Sequence, residues 1–103
     1  MPIKILSVRK SPRKMKRFQI YIQDGEMIDN YHFGLLGAQT YIDHGDKQKR
    51  DAYQKRHLGN PLEKHLIDNM IPSPALFSYK LLWGESNSLQ KNISSLQQDF
   101  NRK

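Results

Sequence analysis

The sequence predicts an α+β fold in which an N-terminal antiparallel β-meander of about three strands packs against three to four C-terminal helices. Two observations carry that expectation. Apolar residues alternate at every second position around Phe18, Ile20 and Ile22, then recur at three- and four-residue spacing, the period changing near residue 45. Leu, Ile, Val and Phe make up 25 of the 103 residues, enough for one core, so residues 1–103 read as a single domain with a basic meander over 1–34 and a helical part over 46–100.

Ile3 and Ile5 begin a short strand that runs through Arg9 into a basic loop at Ser11-Pro12, where proline cannot donate to a ladder. In the next segment Phe18, Ile20 and Ile22 fall on one face, with Arg17, Gln19, Tyr21 and Gln23 on the other, as in a half-buried strand. Asp24-Gly25 supplies a tight turn, and Glu26 to Phe33 returns as the partner strand. Gly34 and Gly37 bracket Leu35-Leu36 in a sharp connection that should turn both leucines inward, and Tyr41-Ile42 reads as extended.

The helical half is marked by caps. Asp46 is the N-cap of a helix running to Leu58, which Gly59 should end in the left-handed conformation. Asn60-Pro61-Leu62-Glu63 combines an N-cap, a proline at the first helical position and a glutamate three after the cap, opening a helix that buries Leu62, Leu66, Ile67 and Met70 and stops before Pro72. Ser73-Pro74 repeats that start for a third helix over Ala75 to Trp83, closed by Gly84, with Trp83 expected in the core. Leu89, Ile93, Leu96 and Phe100 then place a fourth, amphipathic helix behind a cap at Asn87 or Ser88.

Charge is distributed unevenly. The net charge of +7 sits entirely in the first seventeen residues, where Lys4, Arg9, Lys10, Arg13, Lys14, Lys16 and Arg17 meet no acid, while the rest of the chain is neutral. Such a cluster attracts polyanions: nucleic acid, an acidic protein face or anionic lipid. Equally, Lys and Arg on an edge strand discourage sheet-to-sheet pairing. The helix after Asp46 adds Lys49, Arg50, Tyr53, Arg56 and His57, with Arg50, Tyr53 and His57 on one stripe that could grip phosphate beside a stacked ring. In the structural alternative, Tyr53 packs under the sheet and the cations pair with Asp43, Asp46 and Asp51.

Catalytic chemistry finds no foothold. There is no cysteine, hence no disulfide, thiolate or cysteine-bound zinc, and no nucleophile elbow or phosphate-binding glycine loop. Asp43-His44-Gly45-Asp46 holds metal-ligand residue types without a metal-site spacing, and capping by Asp46 accounts for it. His32, His57 and His65 lie on separate elements. No catalytic residue, metal or cofactor is therefore assigned. No stretch approaches the ~20 apolar residues of a membrane span, and Met1 to Lys10 lacks the apolar run of a secretory signal.

The series Lys16-Arg17-Phe18, Asp24-Gly25, His32-Phe33-Gly34, Gly37, Thr40 to His44, Asp46, Lys49-Arg50, Tyr53, Arg56-His57 and Leu81-Leu82-Trp83-Gly84, followed by the terminal helix, resembles an uncharacterised family of small basic proteins of large double-stranded DNA (giant) viruses of algae and amoebae. The resemblance runs over almost the full chain and is most specific from Phe33 to His57. It implies a viral source and a shared fold, not an activity. The chain departs from the family at Leu35-Leu36, where a small and a basic residue are usual, which weakens any ligand role for that loop.

Two functions fit. One is a non-enzymatic structural component of the virion, a minor capsid or cement-type protein whose basic N-terminal face joins acidic capsid or other virion proteins. The alternative is a small DNA- or RNA-binding protein that contacts phosphates non-specifically. Termini as polar as Met1-Pro2 and Asn101-Arg102-Lys103 are ordinarily loose unless something ties them down, as embedding in an assembly would. The expected location is the virion, with host cytoplasm or nucleus during infection. The residues expected to meet the partner or phosphate are Arg9, Lys10, Arg13, Lys14, Lys16, Arg17, Lys49, Arg50, Tyr53, Arg56 and His57. Sequence leaves the oligomeric state open.

Overall fold

The computed structural model describes residues 2–102; the expectation for the chain ends falls outside them at Met1 and Lys103. Strands β1 (Lys4–Lys10), β2 (Lys16–Asp24) and β3 (Met27–Leu35) form one antiparallel sheet in the order β1-β2-β3. The alternation in β2 sets the layering: Ile20 and Ile22 are buried beside Phe33 of β3, and Phe18 pairs with Phe33 in register and stacks on it at 5.8 Å. In β1 the register shifts between Ile5 and Ser7, so Ile5 opposes Ile22, Val8 opposes Ile20, and Leu6 is left outside. That bulge is why β1 shows no clean period of two.

The helices follow the sheet in the chain, the C-terminal ones packing on its Ile20-Ile22-Phe33 face. They are α1 (Tyr41–His44), α2 (Lys47–Leu58), α3 (Pro61–Asp68), α4 (Pro74–Phe77), which continues as a π-helical turn over Ser78–Leu82, and α5 (Leu89–Arg102). Leu76, Phe77, Leu81, Leu82, Leu96 and Phe100 join the three sheet residues in one core. Three expected caps are in place. Asp46 accepts from the backbone N–H of Gln48 and Lys49, Asn60 from Leu62 and Glu63, and Ser73 from Leu76. Ser88, one of the two candidates, accepts from Lys91 N at 3.4 Å at the start of α5.

Several expectations are corrected. Tyr41-Ile42 is not extended: Thr40 and Asp43 form a reciprocal capping box that nucleates α1. Leu35 and Leu36 do not turn inward but stand 57% and 59% exposed, because Gly34 (φ 80°) and Gly37 (φ 88°) swing the chain away from the core. Leu62 is also exposed; α3 buries only Ile67 fully, with Leu66 and Met70 half-buried. Gly59 keeps right-handed dihedrals, φ −76° and ψ −13°, since Asn60 must start α3 immediately. Glu63 does not reach back to its cap; it pairs with His57 Nδ1 at 2.7 Å and ties α3 to α2.

The segment around Trp83 departs most. The expected single helix over Ala75 to Trp83 widens to a π turn after Phe77. Gly84 is required there by space: a Cβ would lie 2.2 Å from the Lys80 carbonyl oxygen and 3.1 Å from the Asn92 side chain. Asn92 is the buried polar residue that fixes this crossing. Its Nδ2 donates to the Leu81 and Ser86 carbonyls at 2.9 and 2.7 Å, and its Oδ1 accepts from Ser86 N at 3.0 Å. Trp83 is consequently half-buried at the rim of the core, not inside it.

Candidate functional site

The eleven residues singled out in the sequence divide into two groups. Arg50, Tyr53, Arg56 and His57 are engaged within the fold. Tyr53 stacks on Trp83 with ring centroids 4.3 Å apart and planes at 7°, and on His57 at 4.0 Å. It packs on Trp83, not under the sheet, and burial, followed by the Glu63 charge, pushes its phenol up to about 12. Arg50 lies over the Tyr41 ring at 4.9 Å and pairs with Asp51 at 3.2 Å; Arg56 lies over Tyr53 at 5.8 Å. This stripe is a structural ladder of rings, with Lys49 and Arg56 exposed beside it.

His44 extends the ladder. Its ring lies 5.5 Å from Trp83 and 6.4 Å from Tyr41, and Nδ1 accepts the Asp46 N–H at 2.9 Å. That bond places the ring proton on Nε2, which is buried without a hydrogen-bond partner among the described residues. Asp43 is spent on Thr40 and Arg17, and Asp46 on α2. Among the described residues no three His, Asp or Glu side chains gather as a metal site.

Arg17 belongs to the engaged group as well. It donates from Nη1 and Nη2 to the two Asp43 oxygens at 2.6 Å each, and lies over the Phe18 ring at 5.0 Å. The guanidinium hydrogen bonds hold the Asp43 carboxyl down at about 2, against the upward push of partial burial. Arg17 thus clamps the sheet to α1. Arg9 is held more loosely, over the Tyr21 ring at 4.7 Å on the solvent face of the sheet.

Lys10, Arg13, Lys14 and Lys16 are different. All four are exposed, and none has a carboxylate within 4.0 Å among the described residues. The β1–β2 loop is folded by Ser11, whose N–H donates to the Arg17 carbonyl at 3.1 Å and whose hydroxyl accepts the Arg13 N–H at 3.0 Å and meets His32 Nδ1 at 2.6 Å. Lys10, Ser11, Arg13, Lys16 and Arg17 then line a recess of about 300 Å³ together with Phe18 and Leu36. His32 registers the local field: partial desolvation first, then the charges of Arg13 and Lys16, pull its pKa below the usual histidine value.

Apolar side chains that the sequence reading overlooked or misplaced share this end of the sheet. Met15, 55% exposed, occupies the left-handed region at φ 74°, and its carbonyl accepts the Leu36 N–H at 2.9 Å, bringing Met15, Leu35 and Leu36 to one tip among the cations. Residues 6–57 match a family described as of unknown function (DUF5754), and that segment covers half of the chain. The chain belongs to this family. The matched segment runs from β1 to the last turn of α2 and contains all eleven candidate residues, whereas α3 to α5 lie beyond it. The comparisons with curated proteins and with solved structures return no match.

Proposed function

We propose that this chain is a non-enzymatic structural component of a large DNA virus particle, docking its basic β-hairpin end on an acidic neighbour, as a minor capsid or cement-type protein does. The observation that carries the docking mode is the tip itself: Met15, Leu35 and Leu36 stand exposed among four cations that have no acidic partner. Cations alone would suit any polyanion. Aliphatic tips between them suit a protein surface that offers apolar contact ringed by carboxylates, because phosphates offer no apolar surface to bury. The viral setting is supported by the residue resemblance, and with it a location in the virion and in host cytoplasm or nucleus during infection. No helix among the described residues is long and apolar enough to cross a membrane.

The experiment is mass spectrometry of purified, nuclease-treated particles, with wild type compared to a variant carrying Lys10→Gln, Arg13→Gln, Lys14→Gln and Lys16→Gln. Arg17 is left in place because it holds Asp43. Wild type should be present at stoichiometric level and the folded variant absent; absence of the wild-type chain would sink the proposal.

Nucleic-acid binding remains the second reading, favoured by the solvent face of the sheet, where Arg9 covers Tyr21 and Gln19 donates to Tyr21 Oη and Asn30 Oδ1 at 3.1 Å each. In that case affinity for an oligonucleotide should fall log-linearly with salt, and the quadruple variant should flatten the slope by about three units.

A further inference from the structure

The sheet has two edges, and only one is defended. On β1 the free side is closed by α5: the Ile5 N–H donates to Gln97 Oε1 at 2.7 Å, and Gln97 Nε2 donates to the Ile3 carbonyl at 2.8 Å. β1 further carries Lys4, Arg9 and Lys10 and a bulge, all devices that discourage strand addition. β3 has none of these. Met27–Leu35 contains no Lys, Arg or Pro, Met27 to Asn30 are exposed without exception, and Met27 and Ile28 are 66% and 60% exposed.

The backbone of β3 is also available. Asp24 and Met27 are paired across the two-residue turn Gly25-Glu26, and such a closing pair exchanges its hydrogen bonds, so Met27, Asp29 and Tyr31 face β2. Ile28, Asn30 and His32 therefore direct N–H and C=O away from the sheet. Outside the ladder with β2, no hydrogen bond reaches the backbone of these three among the described residues.

Charge selects the occupant. The turn end of the β2–β3 hairpin carries Asp24, Glu26 and Asp29, while the opposite end carries Arg13, Lys14 and Lys16. An antiparallel copy of β3 laid along this edge brings the acidic end of each chain beside the basic end of the other. A parallel copy would set like charges together. We propose that β3 is a homodimerisation edge, at which two copies of this chain join their sheets antiparallel about a two-fold axis into one six-stranded sheet.

The proposal goes beyond the docking function, since it engages one edge of the sheet and sets the basic end that docks beside the acidic end of a second copy. Its test is sedimentation velocity of the full chain across concentration, with two variants. Asn30→Pro removes an outward backbone N–H that the monomer does not use, together with the Oδ1 that accepts from Gln19, whose amide keeps Tyr21 Oη as a partner; with the circular dichroism checked to be that of the wild type, it should weaken dimerisation at least tenfold. Asp29→Lys should weaken it through charge, and mixing Asp29→Lys with Lys16→Glu should restore dimer as a heterodimer. A wild-type chain that stays monomeric at ~0.5 mM, a concentration at which even a Kd near 1 mM leaves a detectable dimer fraction, would overturn the proposal. So would a folded Asn30→Pro variant that dimerises as wild type. Incorporation of a monomeric variant into particles would separate this edge from the docking tip.

Discussion

At the scale of single residues, Met15 and Asp43 show two ways in which the sequence meets a local demand. Met15 sits at φ 74°, where a β-carbon crowds the carbonyl and glycine would be at ease. The thioether is exposed, so no core contact offsets the strain, and an observed outlier of this kind points to a functional reason for the side chain. Met15→Gly should therefore raise stability by about 1 kcal/mol in urea unfolding while reducing incorporation into particles. A variant that is no more stable, or that incorporates normally, would remove Met15 from the docking tip. Asp43 is the opposite case, a residue whose charge is needed. Its carboxyl falls from an ordinary 3.8 to about 2 beside Arg17. The folded state thus binds the proton more weakly than the unfolded chain, so this stabilisation is complete above pH 4 and is lost as the pH falls toward 2. Asp43→Asn should cost about 1 to 2 kcal/mol at neutral pH, through the lost ion pair and the weakened cap. It should also flatten the acid limb between pH 4 and 2, and an acid limb identical to wild type would place the pairing energy elsewhere.

Among the elements, what was legible in the sequence was what is decided locally. The alternation of β2, the Asp24-Gly25 turn and the caps at Asp46, Asn60 and Ser73 involve residues at most a few positions apart, and each stands where its signature places it. The short α1 was missed because Tyr41 and Ile42 favour strands, although Thr40 and Asp43 carry the spacing of a capping box, which was the available signal. Long-range polar ties gave no signal at all. Gln97 lies ninety-two residues from Ile5 and Asn92 eleven from Leu81, and nothing in a helix period shows that a polar position faces inward to a backbone. The candidate site was half legible for the same reason: clustering of cations is a sequence property, but Arg17 and Arg50 are removed from it by Asp43 and Tyr41, which only the fold brings near. The Gln97 tie is directly testable. Gln97→Leu keeps a helix former of similar size yet leaves the Ile5 N–H and the Ile3 carbonyl without their partner. It should cost about 1 to 3 kcal/mol and speed amide exchange at Ile5 more than at Ile20 in the ladder centre; uniform acceleration would mean that α5 loosens as a whole.

For the whole molecule, the sheet is a charge dipole, with unpaired Lys10, Arg13, Lys14 and Lys16 at one end and Asp24, Glu26 and Asp29 at the other. Folding confines the cations of the basic end to one short loop and its flanking strands, so in the free protein they repel one another, and their burden should be visible in stability as well as in binding. Salt screens such repulsion over a Debye length of ~10 Å at 0.1 M. Wild type should therefore gain stability between about 0.05 and 0.5 M salt, and the quadruple glutamine variant should gain less. His32 gives a second reading of the same field. Desolvation and the charges of Arg13 and Lys16 hold its pKa down, so the unfolded chain takes up the proton first and stability falls as the pH drops through the unfolded value of 6.5. Neutralising Arg13 and Lys16 relieves the charge component and leaves the desolvation. In the variant the His32 titration followed by NMR should move upward without reaching 6.5, and the loss of stability on acidification should shrink with it. If the titration and the salt dependence both stay at their wild-type positions, the four cations do not act as one cluster, and the docking tip loses its electrostatic basis.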